Sequence, residues 1–254
     1  MRIVHRPSPN FNARRHPLDM LVLHYTGMES AEAALERLAD PDASVSAHYV
    51  VLETGVVVQM VSEADRAWHA GVARWEGDED LNSRSIGIEI VNGGHDFPAA
   101  DGGLPAFPGV QIAAVISLCK AVLARHAIPA TRIVGHSDIA PDRKRDPGEH
   151  FPWAKLAEHG IGIWPTDAPA MSGQLLRGRG LVAGETGPAV RRMQEQLGAI
   201  GYDLAVDARF DAQTEAVVAA FQRRWRPSQV TGEADLACLA MIGTVEAAYR
   251  ASRG

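Results

Sequence analysis

Apolar and polar positions along the first two thirds of the chain follow the two periods of an α/β protein. Leu18 to Tyr25 (LDMLVLHY) is an apolar run of strand length that ends on a histidine and meets Thr26-Gly27, which predicts a buried strand opening into a loop. Ser30 is placed to cap a helix that carries Leu35 and Leu38 and stops at Asp40-Pro41. Ala47 to Leu52 and Val56 to Val61 are β-rich segments around Glu53-Thr54-Gly55, the length and composition of a hairpin. In Ser85 to Val91 (SIGIEIV) the isoleucines 86, 88 and 90 share one face, so Gly87, Glu89 and Val91 occupy the other. Gln111 to His126 carries Ile112, Val115, Ile116, Cys119 and Leu123 at helical spacing, and Ile133-Val134-Gly135-His136 predicts a short strand that again ends on a histidine. Elements in this order predict an α/β fold, a mixed central sheet covered by helices.

From Gly160 to about Gly187 the chain becomes rich in Gly and Pro, the composition of a domain boundary. Helical patterns follow at Val190 to Leu197, Thr214 to Trp225 and, more weakly, Ala234 to Tyr249, which predicts a small three-helix domain. The expected organisation is a catalytic domain over residues 1–165, a linker over 166–186 and a helical domain over 187–254.

A length of 254 residues accommodates both without disulfide help. Cys119 and Cys238 lie in separate apolar stretches without metal-ligand spacing and read as reduced core residues. The net charge of -6 arises from mixed acidic and basic residues without a polybasic block, which gives no support to nucleic acid or an anionic membrane as partner. The first residues turn polar at once and no later segment has the length and apolarity of a membrane span, so a cytoplasmic protein is expected. The alternative is a periplasmic or outer-membrane-attached protein whose leader has been removed.

A catalytic zinc takes three imidazole or carboxylate ligands and leaves one position open for water. His24 and His136 at strand ends, and Asp146 at the far side of a proline-bent loop, meet that description. Spacing alone leaves open that these are solvated or core-satisfied side chains. The segments LHYT, SAHY, RAWHAG, LNSRSIGIEI and GHSDIAPDRKRDPG, in this order between about Asn10 and Pro165, resemble the zinc-dependent N-acetylmuramoyl-L-alanine amidases of the type-2 amidase and peptidoglycan recognition protein fold.

The resemblance implies that His24, His136 and Asp146 bind Zn2+, that Glu89 lies opposite them as general base and then acid, and that Lys144 stabilises an oxyanion. The implied partners are peptidoglycan fragments, cut between the muramic lactyl group and L-alanine during recycling or turnover. Trp68 and His69 are candidate substrate contacts, and His69 reads equally as a packed histidine. His48 reads as a residue that positions the sheet, Asn82 and Arg84 as polar groups on either substrate or surface. Residues from about Gly187 to Ile242 resemble the three-helix peptidoglycan-binding domain, although Asp207-Ala208 and Phe210-Asp211 depart from its usual glycines. That module is either a glycan binder or a helical cap on the catalytic domain. The rival readings of the whole chain are a non-catalytic peptidoglycan recognition protein, a zinc peptidase, for which no H-E-x-x-H helix is present, and a wall-anchoring protein.

Overall fold

The structure is a computed structural model that describes residues 2–165 and 179–254. Of the expected linker, residues 166–178 therefore lie outside the described residues. The elements in chain order are β1 (Ile3–His5), β2 (Phe11–Ala13), β3 (Met20–Tyr25), α1 (Ala31–Ala39), β4 (Tyr49–Val51), β5 (Val57–Gln59), β6 (Asp65–Ala67), α2 (Leu81–Arg84), β7 (Ser85–Ile90), α3 (Gly109–Arg125), β8 (Ile133–Gly135), α4 (His136–Ile139), α5 (Trp153–Ala157), α6 (Pro188–Ile200), α7 (Ala212–Trp225) and α8 (Leu236–Arg253).

Six strands form one mixed sheet in the order β1-β5-β4-β7-β3-β8, and β2 pairs with β6 in a small antiparallel ribbon. The hairpin expected around Glu53 is β4–β5, closed by the Leu52 amide on the Val56 carbonyl at 2.9 Å. At the centre, β7, β3 and β8 run parallel, and their inner positions are fully buried because helices cover both faces.

One face, carrying Leu21, Leu23 and the three isoleucines of β7, packs against Ile112, Val115, Cys119 and Val122 of α3. Each such isoleucine contributes about 1.5–3 kcal/mol by its burial. On the opposite face α1 places Leu35 and Leu38 against Val50, Val58 and Val91, its first turn held by Ser30, whose Oγ accepts from the Ala33 amide at 3.2 Å. Met20 and Val22 lie on that same face, in a cluster that continues into Val190, Met193, Leu197, Phe221 and Trp225 of the C-terminal helices.

The C-terminal helices thus share a core with the sheet rather than hanging from it. Trp75 is fully buried between the two parts and stacks edge-on to Tyr202 at 5.1 Å. Gly201, at φ 138, lies where a Cβ would come within 2.5 Å of the Trp75 ring, so only glycine allows this approach. Among the described residues no helix is long and apolar enough to cross a membrane.

A polar lock closes the far end of the sheet. Glu63 accepts from the Tyr49 hydroxyl at 2.8 Å, Arg125 Nε at 3.1 Å and His126 Nε2 at 2.8 Å. Burial works to raise its pKa, but the hydrogen bonds from Arg125, His126 and Tyr49 outweigh it and hold the carboxyl down at about 2. A carboxyl with a depressed folded pKa stabilises the fold above its ordinary value and loses that contribution as it protonates. Stability is therefore expected to fall between pH 4.5 and about 2. Thermal melts across that window should show a flatter acid limb for Glu63→Gln than for the wild type.

Candidate active site

Glu89, His24 and His136 come from three adjacent parallel strands. In the β3–β7 register His24 pairs with Glu89, and Leu23 pairs with Gly135 of β8, so His136 follows one step beyond, beside His24. Paired residues of parallel strands project to one face, which sets all three at the carboxyl edge of the sheet, where α/β folds place their ligands. His136 itself is the first residue of the short helix α4, where the sequence predicts a strand end.

Asp146 reaches the same point because its loop folds back on α4. The Ala140 amide bonds the His136 carbonyl at 3.0 Å, the Lys144 amide bonds the Ala140 carbonyl at 3.0 Å, and the Ser137 amide bonds the Asp146 carbonyl at 2.8 Å. His24 Nδ1 and His136 Nδ1 are 2.9 Å apart, and Asp146 Oδ2 lies 3.0 Å from the first and 3.1 Å from the second. All three residues are buried.

The surrounding hydrogen bonds dictate where the imidazole protons sit. His136 Nε2 faces the Ala70 carbonyl at 3.0 Å, an acceptor only, so Nε2 carries a proton and, in the neutral ring, Nδ1 presents a lone pair. For His24 the chain of reasoning is longer. The Ser85 hydroxyl gives its one proton to the Leu81 carbonyl at 2.5 Å, so Ser85 Oγ accepts from His69 Nε2 at 3.1 Å. His69 Nδ1 is then an acceptor, and His24 Nε2, 3.0 Å away, must donate to it. His24 Nδ1 is therefore also a bare lone pair. Burial, with His136 nearby, lowers the His24 pKa to about 4, and burial followed by the neighbouring His24 and His48 lowers that of His69 well below its ordinary value, which keeps both rings neutral near pH 7.

Two imidazole nitrogens and a carboxylate oxygen therefore converge on one point. Burial works to raise the Asp146 pKa, but the two histidines outweigh it and hold the carboxyl far below the ordinary range, so the carboxylate is ionised. Two imidazole nitrogens and a carboxylate oxygen at 2.9–3.1 Å stay this close only with a proton or a metal cation among them. Among the described residues His24, His136 and Asp146 form the one group of three or more such side chains able to hold a metal ion. Two nitrogens, one oxygen and an open side are the donor set of a catalytic zinc.

The site opens into a cleft of ≈ 420 Å³ whose walls include Glu89, Lys144, Trp68, Tyr25 and Arg37. Glu89 Oε2 is shielded from solvent and has no hydrogen-bond partner. Burial first, and then the charge of Asp146, push its carboxyl well above the ordinary range. Lys144 lies on the cleft wall, on a loop anchored where Arg143 Nη2 bonds the Ala70 carbonyl at 2.8 Å. Trp68 is half-buried, its indole Nε1–H donating to Asn12 Oδ1 at 3.0 Å.

His69 is buried under the site with both ring nitrogens engaged by protein, so the geometry favours the packed reading over substrate contact. Gly87 makes its room, since a Cβ there would stand 2.4 Å from the imidazole. Asn82 Oδ1 accepts the amides of His69 and Ala70 at 2.9 and 2.8 Å, which fixes the segment that orients both metal-facing histidines. His48 Nδ1 accepts the Gly87 amide at 3.0 Å, and Arg84 pairs with Asp19 at 3.0 Å, both away from the cleft. Sequence reasoning missed Ser85 and the Ala70 carbonyl as tautomer-setting groups. Ser85 carried a signal only as the residue that opens the SIGIEIV strand.

Residues 14–149 match the N-acetylmuramoyl-L-alanine amidase family, and residues 186–242 match a peptidoglycan binding domain family. The N-acetylmuramoyl-L-alanine amidase AmiD of Escherichia coli K12 is 39% identical over 225 residues, covering 86% of this chain and 78% of its own length. Its structure, solved with anhydro-N-acetylmuramic acid-L-Ala-D-gamma-Glu-L-Lys, matches with a TM-score of 0.75 at 34% identity over 92% of this chain and 91% of that one. AmpDh3 of Pseudomonas aeruginosa matches with a TM-score of 0.77 at 31% identity over 96% of both chains. The two histidines, the aspartate and the glutamate beside them thus stand in a fold and a sequence shared along nearly the whole chain, and the protein belongs to the N-acetylmuramoyl-L-alanine amidase family.

Proposed function

We propose that this protein hydrolyses the amide bond between the lactyl group of N-acetylmuramic acid, the 1,6-anhydro form included, and L-alanine of the stem peptide. The observation that carries the reading is the convergence of two imidazole nitrogens and a carboxylate oxygen beside Glu89, whose Oε2 has no partner among the described residues, in one open cleft. A binding protein has no use for a carboxyl oxygen shielded without a partner, which costs about 1–3 kcal/mol. The anhydromuramyl peptide in the AmiD structure supports the choice of substrate.

His24, His136 and Asp146 would hold Zn2+. When bound, zinc supplies Lewis acidity toward the amide carbonyl and acidifies water at neutral pH. Glu89 takes the proton from the attacking water and returns it to the alanine nitrogen as the C–N bond breaks, so one carboxyl serves as base and then acid. Burial and the charge of Asp146 raise its pKa above the ordinary carboxyl range, which makes it a stronger base for the water proton than an exposed carboxylate. The Lys144 ammonium, on the cleft wall, donates to the oxyanion of the tetrahedral intermediate. Trp68 offers an aromatic wall for the substrate, and His69 orients His24 from below.

Incubation with anhydro- and reducing-end muropeptides should release L-alanine-headed peptides, identified by mass. Release that persists after complete removal of metal would overturn the zinc reading, and no release from either substrate would overturn the amidase reading. Lys144→Met is expected to keep its metal and KM while kcat falls by about 10²–10³-fold, the usual effect of losing one oxyanion donor. Steady-state kinetics with metal analysis check it. The compartment in which muropeptides meet the protein is assigned by fractionation of cells that express the intact gene.

A further inference from the structure

Asp138 stands two residues after His136, and both of its oxygens are committed. Oδ2 accepts the Gly135 amide at 2.8 Å, immediately before His136, and the Arg224 Nη1 proton at 2.8 Å, while Oδ1 accepts from the Tyr202 hydroxyl at 2.8 Å. Gly135 is local to Asp138, but Arg224 ends α7 and Tyr202 follows α6, so two of the three donors come from the C-terminal part.

Arg224 has only 3% of its surface exposed and Asp138 only 2%. Its second amino group donates to the Ile133 carbonyl at 3.1 Å, at the start of β8, and its guanidinium lies between Trp153 at 4.1 Å and Trp225 at 4.6 Å. One guanidinium therefore grips β8 at Ile133 and just beyond its end at Asp138, and His136 lies within that span. The segment has little slack, since a Cβ on Gly135 would meet Pro147 at 2.7 Å, next to Asp146. A module tethered only to bind glycan would have no need of a fully buried cation reaching into the catalytic strand, where an unpaired charge is strongly disfavoured.

We propose that Arg224 is a positioning residue for the metal site: through Asp138, the C-terminal helices set the place of His136. The inference rests on the reading that His136 holds zinc. It makes the C-terminal part a structural support of the metal site, in addition to whatever it binds.

The test uses the full chain and measures zinc affinity by competition with a chromogenic chelator. Arg224→Met is expected to weaken zinc binding by about 10–100-fold, the range for the loss of outer groups that orient metal ligands, and to lower kcat with KM unchanged. Arg224→Lys, which keeps the charge, should recover part of the loss. Val245→Ala, a cavity in the core of α8, should lower the melting temperature and leave zinc affinity at the wild-type value. Wild-type zinc affinity in Arg224→Met, or an equal loss in Val245→Ala, would overturn the inference. Should Arg224→Met fail to fold, Asp138→Asn and Tyr202→Phe carry the test, and undiminished affinity in both would overturn it as well. Wild-type and His136→Ala proteins that bind zinc equally would instead defeat the underlying zinc reading, so the two failures are distinguishable.

Discussion

Glu89→Gln is expected to keep a full complement of zinc and to lose turnover by about 10²–10⁴-fold, the contribution of a positioned general acid–base group. The substitution keeps the shape of a side chain on the central strand β7 and removes only its capacity to take and return a proton. Two further readouts identify the cause. Glu89 must be ionised to act as base, and burial together with Asp146 pushes its pKa well above the ordinary value. As pH falls through that raised pKa the wild-type rate should therefore decline, at a higher pH than an ordinary carboxylate would dictate, and the residual activity of the variant should lack this limb. The stability effect has the opposite sign. An acid whose folded pKa is raised destabilises the fold once it is ionised, so at neutral pH Glu89→Gln should melt at or above the wild-type temperature. Wild-type turnover in the variant would show that another group is the base.

His136→Ala is expected to abolish both stoichiometric zinc binding and activity. A metal at this site contributes several kcal/mol of charge stabilisation in the transition state, which at about 1.4 kcal/mol per decade is a loss on the order of 10⁴-fold. The protein should still fold, because His136 makes one side-chain bond to the body of the fold, to the Ala70 carbonyl. Its removal also separates the lone pairs of His24 and Asp146 from a third acceptor. The informative measurement is the melting temperature against zinc concentration. The wild type should rise with added zinc, as any protein that binds a ligand only when folded must, and the variant should stay flat. A zinc-dependent rise in His136→Ala equal to the wild type would place the ion elsewhere.

The elements legible in the sequence are those with long, strongly patterned burial. β3 and β7 are buried along their inner positions and read as apolar runs, and α3, α6 and α7 carry apolar residues at helical spacing. The elements left unread are three or four residues long or lie at the surface, as with β1, β2, β6 and α2. So short a segment spans at most two strand periods or about one helical turn, too little to establish either pattern, and its pairing is decided by what lies opposite. The same holds for α4, which turns helical at His136 because the loop to Asp146 folds back onto its first turn.

For the site, ordered motifs name His24, His136, Asp146, Glu89 and Lys144, and the structure brings them to one cleft. His69 is different. In the sequence it follows a tryptophan in RAWHAG and reads equally as wall or core, and the absence of a side chain at Gly87, on another strand, is what lets it sit beneath His24. Arg224 reads as one more arginine in the helical stretch QRRW, yet it is buried against an aspartate 86 positions away.

By itself the sequence determined where the longer strands and helices lie, that helices cover a mixed sheet and which side chains could carry the chemistry, because period, length and motif are local properties of a chain. Only the tertiary structure decided which imidazole nitrogens face the common point, that Glu89 Oε2 lacks a partner among the described residues, and that the C-terminal helices share a core with the sheet. Those depend on hydrogen bonds and close approaches between residues far apart in sequence, and a proton is placed by the partner it faces rather than by its neighbours along the chain.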